Sequence, residues 1–141
     1  MSNCKVVAFF NEDLDEIEPV FTVGDVDRGV FQEETGRTIM FGDKIAGCLG
    51  VSMIWSGVGV GWCIMDKNLT KQQRLIVGKT CKKRLPNFMD LIGIHRIQAD
   101  VKNGFDVGKR FVEFLGFESE GIMKAFGPDK EDYERFALVR C

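Results

Sequence analysis

The chain has 141 residues, 45% of them hydrophobic and 28% charged, which is typical of a globular protein, and we expect one domain over residues 1–141. Its 19 lysines and arginines nearly balance its 21 aspartates and glutamates, so the net charge of −2 excludes a whole-chain attraction to nucleic acid or anionic lipid. No segment approaches the roughly 18 apolar residues of a membrane span, and the first residues resemble neither a secretory signal nor a transit peptide, so we expect a cytoplasmic protein.

The first half of the chain predicts strands joined by short turns. The segment "KVVAFF" predicts a strand, and "NEDLDEIEPV" predicts a short acidic helix that is capped by Asn11 or Asp13 and limited by Pro19. Residues 21–36 predict a loop with one helical turn around "GVFQEE". From Thr38, the segments "TIMF", "IAGCLGVSMIW" and "VGVGWCIM" are separated by the turns "GDK" and "SG", which predicts an antiparallel meander. Glycines within these strands, such as Gly50, indicate bulges or close backbone approach.

The second half predicts two helices and three strands. Thr70 and Gln73 form the pattern of a capping box, and they open a long helix that Pro86 is expected to kink or interrupt. The segment "HRIQADV" alternates apolar and polar residues, as a half-buried strand does. A second helix is predicted from Asp106 to Leu115 with Gly116 as its C-cap, and a hairpin follows it.

The cysteines predict neither a disulfide framework nor a metal site. There are five of them, an odd number, widely spaced and without a C-x-x-C pair. We therefore expect buried, reduced thiols. The five are Cys4, Cys48, Cys63, Cys81 and Cys141.

The carboxy-terminal third of the chain resembles a known superfamily. From "HRIQADV" through "FVEFLGFESEG" to "GPDKEDYERFAL" it is similar to GNAT-superfamily N-acetyltransferases, especially the branch that acetylates protein amino termini. It is more similar still to the GNAT-like proteins encoded by tailed phages, which share "RIQA-V" and the "EG-M-A-GPD-DY" ending. The matching residues are His95, Arg96, Ile97, Val101, Leu115, Gly116, Phe117, Glu120, Gly121, Asp132 and Tyr133.

This resemblance implies a fold and a cofactor. The fold is an α/β (α+β) single domain in which helices flank both faces of a mixed, mostly antiparallel sheet of about six or seven strands. The cofactor is acetyl-CoA, whose pantetheine arm in the family pairs with a strand that splays from its neighbour. Here that pairing would use the main chain of Cys63, Ile64 and Met65.

The phosphate-binding part of the cofactor site departs from the family pattern. In the family a glycine-rich loop opens the main helix, whereas "DKNLTKQQRLIVGKT" has no paired glycines. Lys71, Gln72, Gln73 and Arg74 could still offer amides and charge to an anion, and the alternative is a capped helix with a solvated basic face. Phe105 replaces the asparagine common at the start of the last helix, which leaves Asn103 as the nearest candidate.

Catalytic candidates are few. The tyrosine that in many members protonates the departing thiolate is replaced by Val112, and the single tyrosine of this chain, Tyr133, is expected to be structural. Glu33 and Glu34 could accept an amine proton, or they could be solvated charges. The single histidine, His95, could act as a base or be a packed or edge histidine.

Two functions remain open at this point. The first is an N-acyltransferase that moves an acetyl group from acetyl-CoA to an amine. The second is a catalytically inactive virion or head-assembly protein of a phage, which acts through protein partners or self-association in the host cytoplasm or the particle. A nucleic-acid role for the basic residues 79–84 is disfavoured, because the chain is slightly acidic and no aromatic residues are interleaved there.

Overall fold

The computed structural model describes residues 4–23 and 31–140, with the backbone alone for residues 19–23. Its strands are β1 (Cys4–Ala8), β2 (Pro19–Val23), β3 (Gly36–Phe41), β4 (Lys44–Trp55), β5 (Val58–Asp66), β6 (Arg96–Lys102), β7 (Glu118–Met123) and β8 (Tyr133–Val139). Its helices are a 3-10 helix (Asn11–Glu16), α1 (Lys71–Ile92) and α2 (Asp106–Leu115). None of the described helices has the length and apolarity that crossing a bilayer requires.

The strands form one mixed sheet. Its order is β1-β3-β4-β5-β6-β8-β7, with β2 added beside β5. The β5–β6 pair is parallel, and every other described pair is antiparallel. This mostly antiparallel arrangement with a few helices confirms the predicted fold class.

The predicted meander is confirmed, and its turns explain its glycines. Gly42 and Gly57 lie in the β3–β4 and β4–β5 turns with φ of +59° and +83°, a region that glycine enters without steric cost. Gly50 has a different role, because a Cβ built on it would lie 2.6 Å from the carbonyl oxygen of Thr35. Gly50 therefore permits the close backbone approach that was predicted for glycines inside the strands.

The prediction for residues 21–36 is wrong at both ends. Residues 21–23 belong to β2, and Gly36 already begins β3. No helical turn forms in the described part of "GVFQEE", residues 31–34, whereas Gly29 and Val30 lie outside the described residues. A strand such as β2 escapes prediction because it is short and its partner is distant in sequence.

The acidic helix forms as a single 3-10 segment rather than an α-helix. Its N-cap is Phe10, and the Asp13 carboxylate accepts a hydrogen bond from the Phe10 N–H at 3.0 Å. Asp13 also accepts from the Thr38 hydroxyl at 2.7 Å, which ties this segment to β3. The prediction of Asn11 or Asp13 as the N-cap is therefore wrong, because both lie within the helix, where Asp13 accepts the hydrogen bond of the true cap.

The long helix α1 runs through Pro86 without interruption. Proline has no N–H, so the helical hydrogen bond to the carbonyl four residues earlier, that of Lys82, is missing. Lys82 and Pro86 are both exposed, so water can satisfy that carbonyl. The capping box of Thr70 and Gln73 and the C-cap Gly116 of α2 are confirmed.

The core has two parts, one on each face of the sheet. The helices α1 and α2 cover one face, where Val77, Met89 and Val112 pack on Ile97 and Phe136. The 3-10 helix lies on the other face, where the buried residues are Phe9, Leu14, Ile17, Phe31, Ile45, Cys48, Trp62 and Ile64. Helical segments on both faces were expected from the resemblance, and the structure confirms them.

Candidate functional site

The strands β5 and β6 part in the middle of the sheet. They pair in parallel from Val58 to Val60 and from Arg96 to Gln98. Beyond that point β5 continues to Asp66 and β6 to Lys102 without pairing to each other. An opening with a main-chain edge on each side follows from this divergence.

Strand β2 lies in that opening. It pairs antiparallel with β5 from Pro19 opposite Asp66 to Val23 opposite Cys63, and it also contacts β6 and α2. The main chain of Cys63, Ile64 and Met65, predicted to pair with a ligand, is therefore paired with the chain's own β2 in this conformation.

Hydrogen bonds and ion pairs connect the residue before β2 with the end of β5. The Lys67 N–H donates to the Glu18 carbonyl at 2.7 Å, and Lys67 Nζ lies 2.7 Å from Glu18 Oε2. The Glu18 N–H donates to Asp66 Oδ1 at 3.2 Å, and Asp66 Oδ2 lies 3.4 Å from Lys44 Nζ. The sequence analysis missed these residues, because nothing local indicates a contact between Glu18 and a segment 48 residues away.

The first turn of α1 follows directly. The Gln73 N–H donates to the Thr70 hydroxyl and the Gln73 side chain accepts from the Thr70 N–H, both at 3.0 Å. Arg74 donates through Nη1 to the Leu69 carbonyl at 3.0 Å. Within the described residues, the N–H groups of Lys71 and Gln72 have no acceptor. Of the four predicted anion-binding residues, these two have amides free for a ligand.

Asn103 lies at the same edge of the sheet as this turn. The carboxyl ends of parallel neighbours face the same way, so the turn after β6 lies on the same side as the turn after β5. Asn103 is exposed there, and its N–H donates to the Asp132 carbonyl at 2.9 Å. The parting strands, the start of α1 and Asn103 thus surround one region.

Comparison with known proteins identifies the architecture. The sequence matches no protein-family model and no curated protein. The structure, however, superposes on a GNAT-family acetyltransferase from Bacillus anthracis with a TM-score of 0.72 at 14% identity, covering 99% of this chain and 96% of that one. Ard1 from Thermoplasma volcanium gives 0.75 at 10% identity, with 99% of each chain covered. The chain has the GNAT fold.

A third solved structure with this fold contains a ligand. The protein yncA from Salmonella typhimurium, solved with its cofactor acetyl-CoA, superposes with a TM-score of 0.74 at 11% identity, covering 97% of this chain and 94% of that one. At such identities the likeness concerns the fold. The resemblance to phage-encoded members and to the amino-terminal acetyltransferase branch stays a prediction from the sequence.

Within the described residues of this GNAT fold, none of the three acid–base candidates forms a side-chain hydrogen bond or ion pair with β5 or β6. His95 is exposed at the amino end of β6, where its ring lies against Gly57, and the length of that strand places it roughly 25 Å from Asn103. Glu33 accepts hydrogen bonds from Asn11 at 2.8 and 3.4 Å. Glu34 is exposed, and its carbonyl accepts from Arg37. No hydrogen bond or ion pair joins His95 to Glu33 or Glu34 within the described residues.

Val112, Tyr133 and two buried thiols have little acid–base capacity. Val112 is 2% exposed and has no proton to give. Tyr133 is buried against Phe126, and burial raises the pKa of its hydroxyl above the usual value. Burial also raises the pKa of the Cys63 thiol well above its usual range and that of Cys81 to about 12, so both stay protonated at neutral pH.

Proposed function

We propose that this protein is an acyl-CoA-dependent N-acyltransferase that transfers an acetyl group from acetyl-CoA to an amine. The observation that carries the proposal is the parting of β5 from β6 beside the free amides of Lys71 and Gln72, within a fold shared with acetyltransferases. The thioester supplies an activated acyl group that an amine can attack directly. Such a transfer needs no nucleophilic side chain, which agrees with the protonated state of the buried thiols.

The residues present fit the anionic end of acetyl-CoA. Lys67, Lys71 and Arg74 place positive charge around the start of α1, and the amides of Lys71 and Gln72 can donate to phosphate oxygens. Asn103 would contact the cofactor from the turn after β6. In place of the glycine-rich loop of the family, this chain would thus hold the phosphates largely through the charges of its side chains.

The pantetheine arm of acetyl-CoA would fit along the β5 edge only after β2 has moved. The β5 edge from Cys63 to Met65 is paired with β2, so the proposal requires that β2 leave this edge when the cofactor binds. The Glu18 carboxylate, held on Lys67, would leave with it and free that ammonium group for phosphate. Binding therefore competes with an internal contact of the protein.

In this proposal the departing thiolate takes its proton from solvent. Val112 cannot protonate the departing thiolate, so water supplies that proton. Glu33, Glu34 and His95 stay candidates for accepting the amine proton. None of the three is fixed on β5 or β6 by a side-chain hydrogen bond among the described residues, so we expect that replacing any one of them lowers the rate only modestly.

Calorimetric titration of acetyl-CoA tests the proposal, with desulfo-CoA as a ligand that keeps the phosphates and the pantetheine arm. We expect saturable binding of both. Lys71→Gln removes the charge, and Lys71→Pro also removes the N–H at a position where the extended Thr70 accommodates a following proline. We expect Lys71→Gln to weaken acetyl-CoA binding and Lys71→Pro to weaken it further, to an affinity roughly tenfold below that of the unmodified protein.

Lys79→Gln is the matched control, because Lys79 is exposed on the same helix two turns further on. It should bind like the unmodified protein. No heat at millimolar acetyl-CoA, or an equal loss in the control, would overturn the proposal. If binding holds, release of free CoA in the presence of candidate amines measures transfer.

A second candidate function, action through protein contacts, is favoured by a separate observation. Trp55 is 66% exposed and Val139 is 53% exposed, and the pairing register places them in one row across the sheet, through Val58 and Arg96. Exposed apolar residues at one edge are typical of interaction surfaces. Sedimentation that shows self-association, abolished by Trp55→Ser, would support this role. A monomer that binds acetyl-CoA would count against it.

A further inference from the structure

An apolar cavity of about 380 Å³ lies between α1, α2 and the sheet. The sheet contributes Ile39, Val51 and Ala99 to its wall, and the helices contribute Leu85, Val112 and Leu115. Its volume is within the range of small-molecule sites, roughly 300–1,000 Å³, and exceeds twice that of a cavity of about 150 Å³ that holds benzene. Space of this size in a core is available to a ligand.

The wall of the cavity is neutral apart from two arginines. Every other residue that lines it is uncharged, and no carboxylate lines it within the described residues. The Cys81 thiol belongs to the wall, and because burial raises its pKa to about 12 it contributes no charge at neutral pH. The two charged residues are Arg37 and Arg84.

One of these arginines lies over an aromatic ring of the wall, and the other shares a helix face with that ring. The Arg37 guanidinium carbon lies 5.1 Å from the centre of the Phe88 ring. Arg84 precedes Phe88 by four residues on α1 and therefore lies on the same helix face. Arg84 and Leu91 are exposed and line the cavity as well, so it opens to solvent at this end.

Among the described residues, no carboxylate neutralises either arginine. Arg37 donates through Nη1 to the carbonyls of Gly36 at 2.7 Å and Glu34 at 3.3 Å, which orients the group without compensating its charge. Within residues 4–23 and 31–140, neither Arg37 nor Arg84 forms an ion pair with a carboxylate. In the part of the chain that the structure describes, an apolar cavity thus ends at two positive charges without a carboxylate partner.

We propose that this cavity binds an unbranched aliphatic carboxylate, such as a medium-chain fatty acid, with its chain between α1 and the sheet and its carboxylate on Arg37 and Arg84. The chain is stabilised by burial of apolar surface against the wall. The carboxylate gains charge-assisted hydrogen bonds from two guanidinium groups at the solvent-facing end. A cationic amphiphile would meet like charge there, and a neutral one would forgo the charged contacts. The site does not depend on acetyl-CoA binding.

Titration with decanoate tests the assignment, with decanol and decylamine as ligands of the same chain length. We expect saturable binding of decanoate below its critical micelle concentration, weaker binding of decanol and weakest binding of decylamine. The double variant Arg37→Gln with Arg84→Gln should lower the decanoate affinity by roughly tenfold or more, to the level of decanol, and leave decanol unaffected. Lys83→Gln, an exposed neighbour outside the cavity, is the matched control.

A second variant tests the location of the chain. Ala99→Leu places extra carbon atoms in the cavity from the middle of β6, and it should abolish binding of decanoate and decanol alike, provided that circular dichroism shows the fold intact. Equal affinity for decanoate and decanol would overturn the anion site. Unchanged decanoate binding in Ala99→Leu would show that the ligand lies elsewhere. Failure of decanoate to bind below its critical micelle concentration would overturn the proposal.

Discussion

Replacing Glu18 with glutamine should strengthen acetyl-CoA binding. The substitution removes the ion pair with Lys67 at 2.7 Å but keeps both main-chain hydrogen bonds of residue 18, from Lys67 and to Asp66. In the proposed competition, acetyl-CoA binds only when β2 has left the β5 edge, so the apparent Kd would be the intrinsic Kd divided by the fraction of molecules with that edge open. Weakening the contact that holds β2 raises that fraction.

The size of the effect follows from the exposure of the pair. The Glu18 and Lys67 side chains are 66% and 54% exposed, so solvent screens their attraction, and such pairs change an equilibrium only about two- to fivefold. The apparent Kd from calorimetry at low salt should fall by that factor. The difference should shrink as salt is added, since added ions screen exposed pairs.

Glu16→Gln provides the control for this experiment. Glu16 is also exposed and lies two residues earlier, but it forms no ion pair with the described residues. Its replacement should leave the Kd unchanged. An unaltered Kd in Glu18→Gln, with acetyl-CoA still binding, would refute the competition between β2 and the cofactor. A higher Kd would mean that Glu18 contacts the ligand.

Three further predictions concern stability. Thr70→Ala removes the cap of α1 and should cost about 1 kcal/mol, which lowers Tm by about 3 °C, whereas Thr70→Ser should be nearly neutral in thermal denaturation. Phe136→Ala at a 1% exposed position should cost about 3–5 kcal/mol in urea denaturation, and a loss below 1 kcal/mol would contradict the packing described for the helix-covered face. The hydrogen bond from Arg96 lowers the pKa of Glu120, so this pair stabilises the fold above the ordinary carboxyl pKa and the contribution is lost as pH falls through the lowered value. Glu120→Gln should therefore flatten the acid side of a plot of Tm against pH, and Glu118→Gln, an exposed neighbour without an ion pair, should not.

The elements that the sequence predicted correctly are those with local causes. The meander follows from alternation and from turns such as the one at Gly57, which occupies the left-handed region. The start of α1 follows from Thr70 and Gln73, which satisfy each other's main-chain groups within one turn. The end of α2 follows from Gly116, whose φ is +103°. Each of these depends on residues within about four positions of one another, so the pattern is readable in the sequence.

The candidate site was predictable only in part. The sequence and its resemblance indicated the main chain of residues 63–65 and the first turn of α1, and the structure places both beside the parting of β5 and β6. They did not indicate that β2 fills this parting or that Glu18 holds Lys67. The sequence named Glu33 as a candidate for accepting an amine proton, and that role stays a prediction; its carboxylate accepts a hydrogen bond from Asn11.

The sequence by itself thus determined most of the strands, the start of α1 and the bounds of α2, because those depend on periodicity and on hydrogen bonds between near neighbours. The fold class followed from the resemblance to a known superfamily. Only the tertiary structure decided which strand covers the β5 edge, that Arg37 and Arg84 end one cavity, and that His95 lies at the far end of β6. These arrangements join residues tens of positions apart. Their stability comes from burial and pairing in the assembled sheet, which no local pattern encodes.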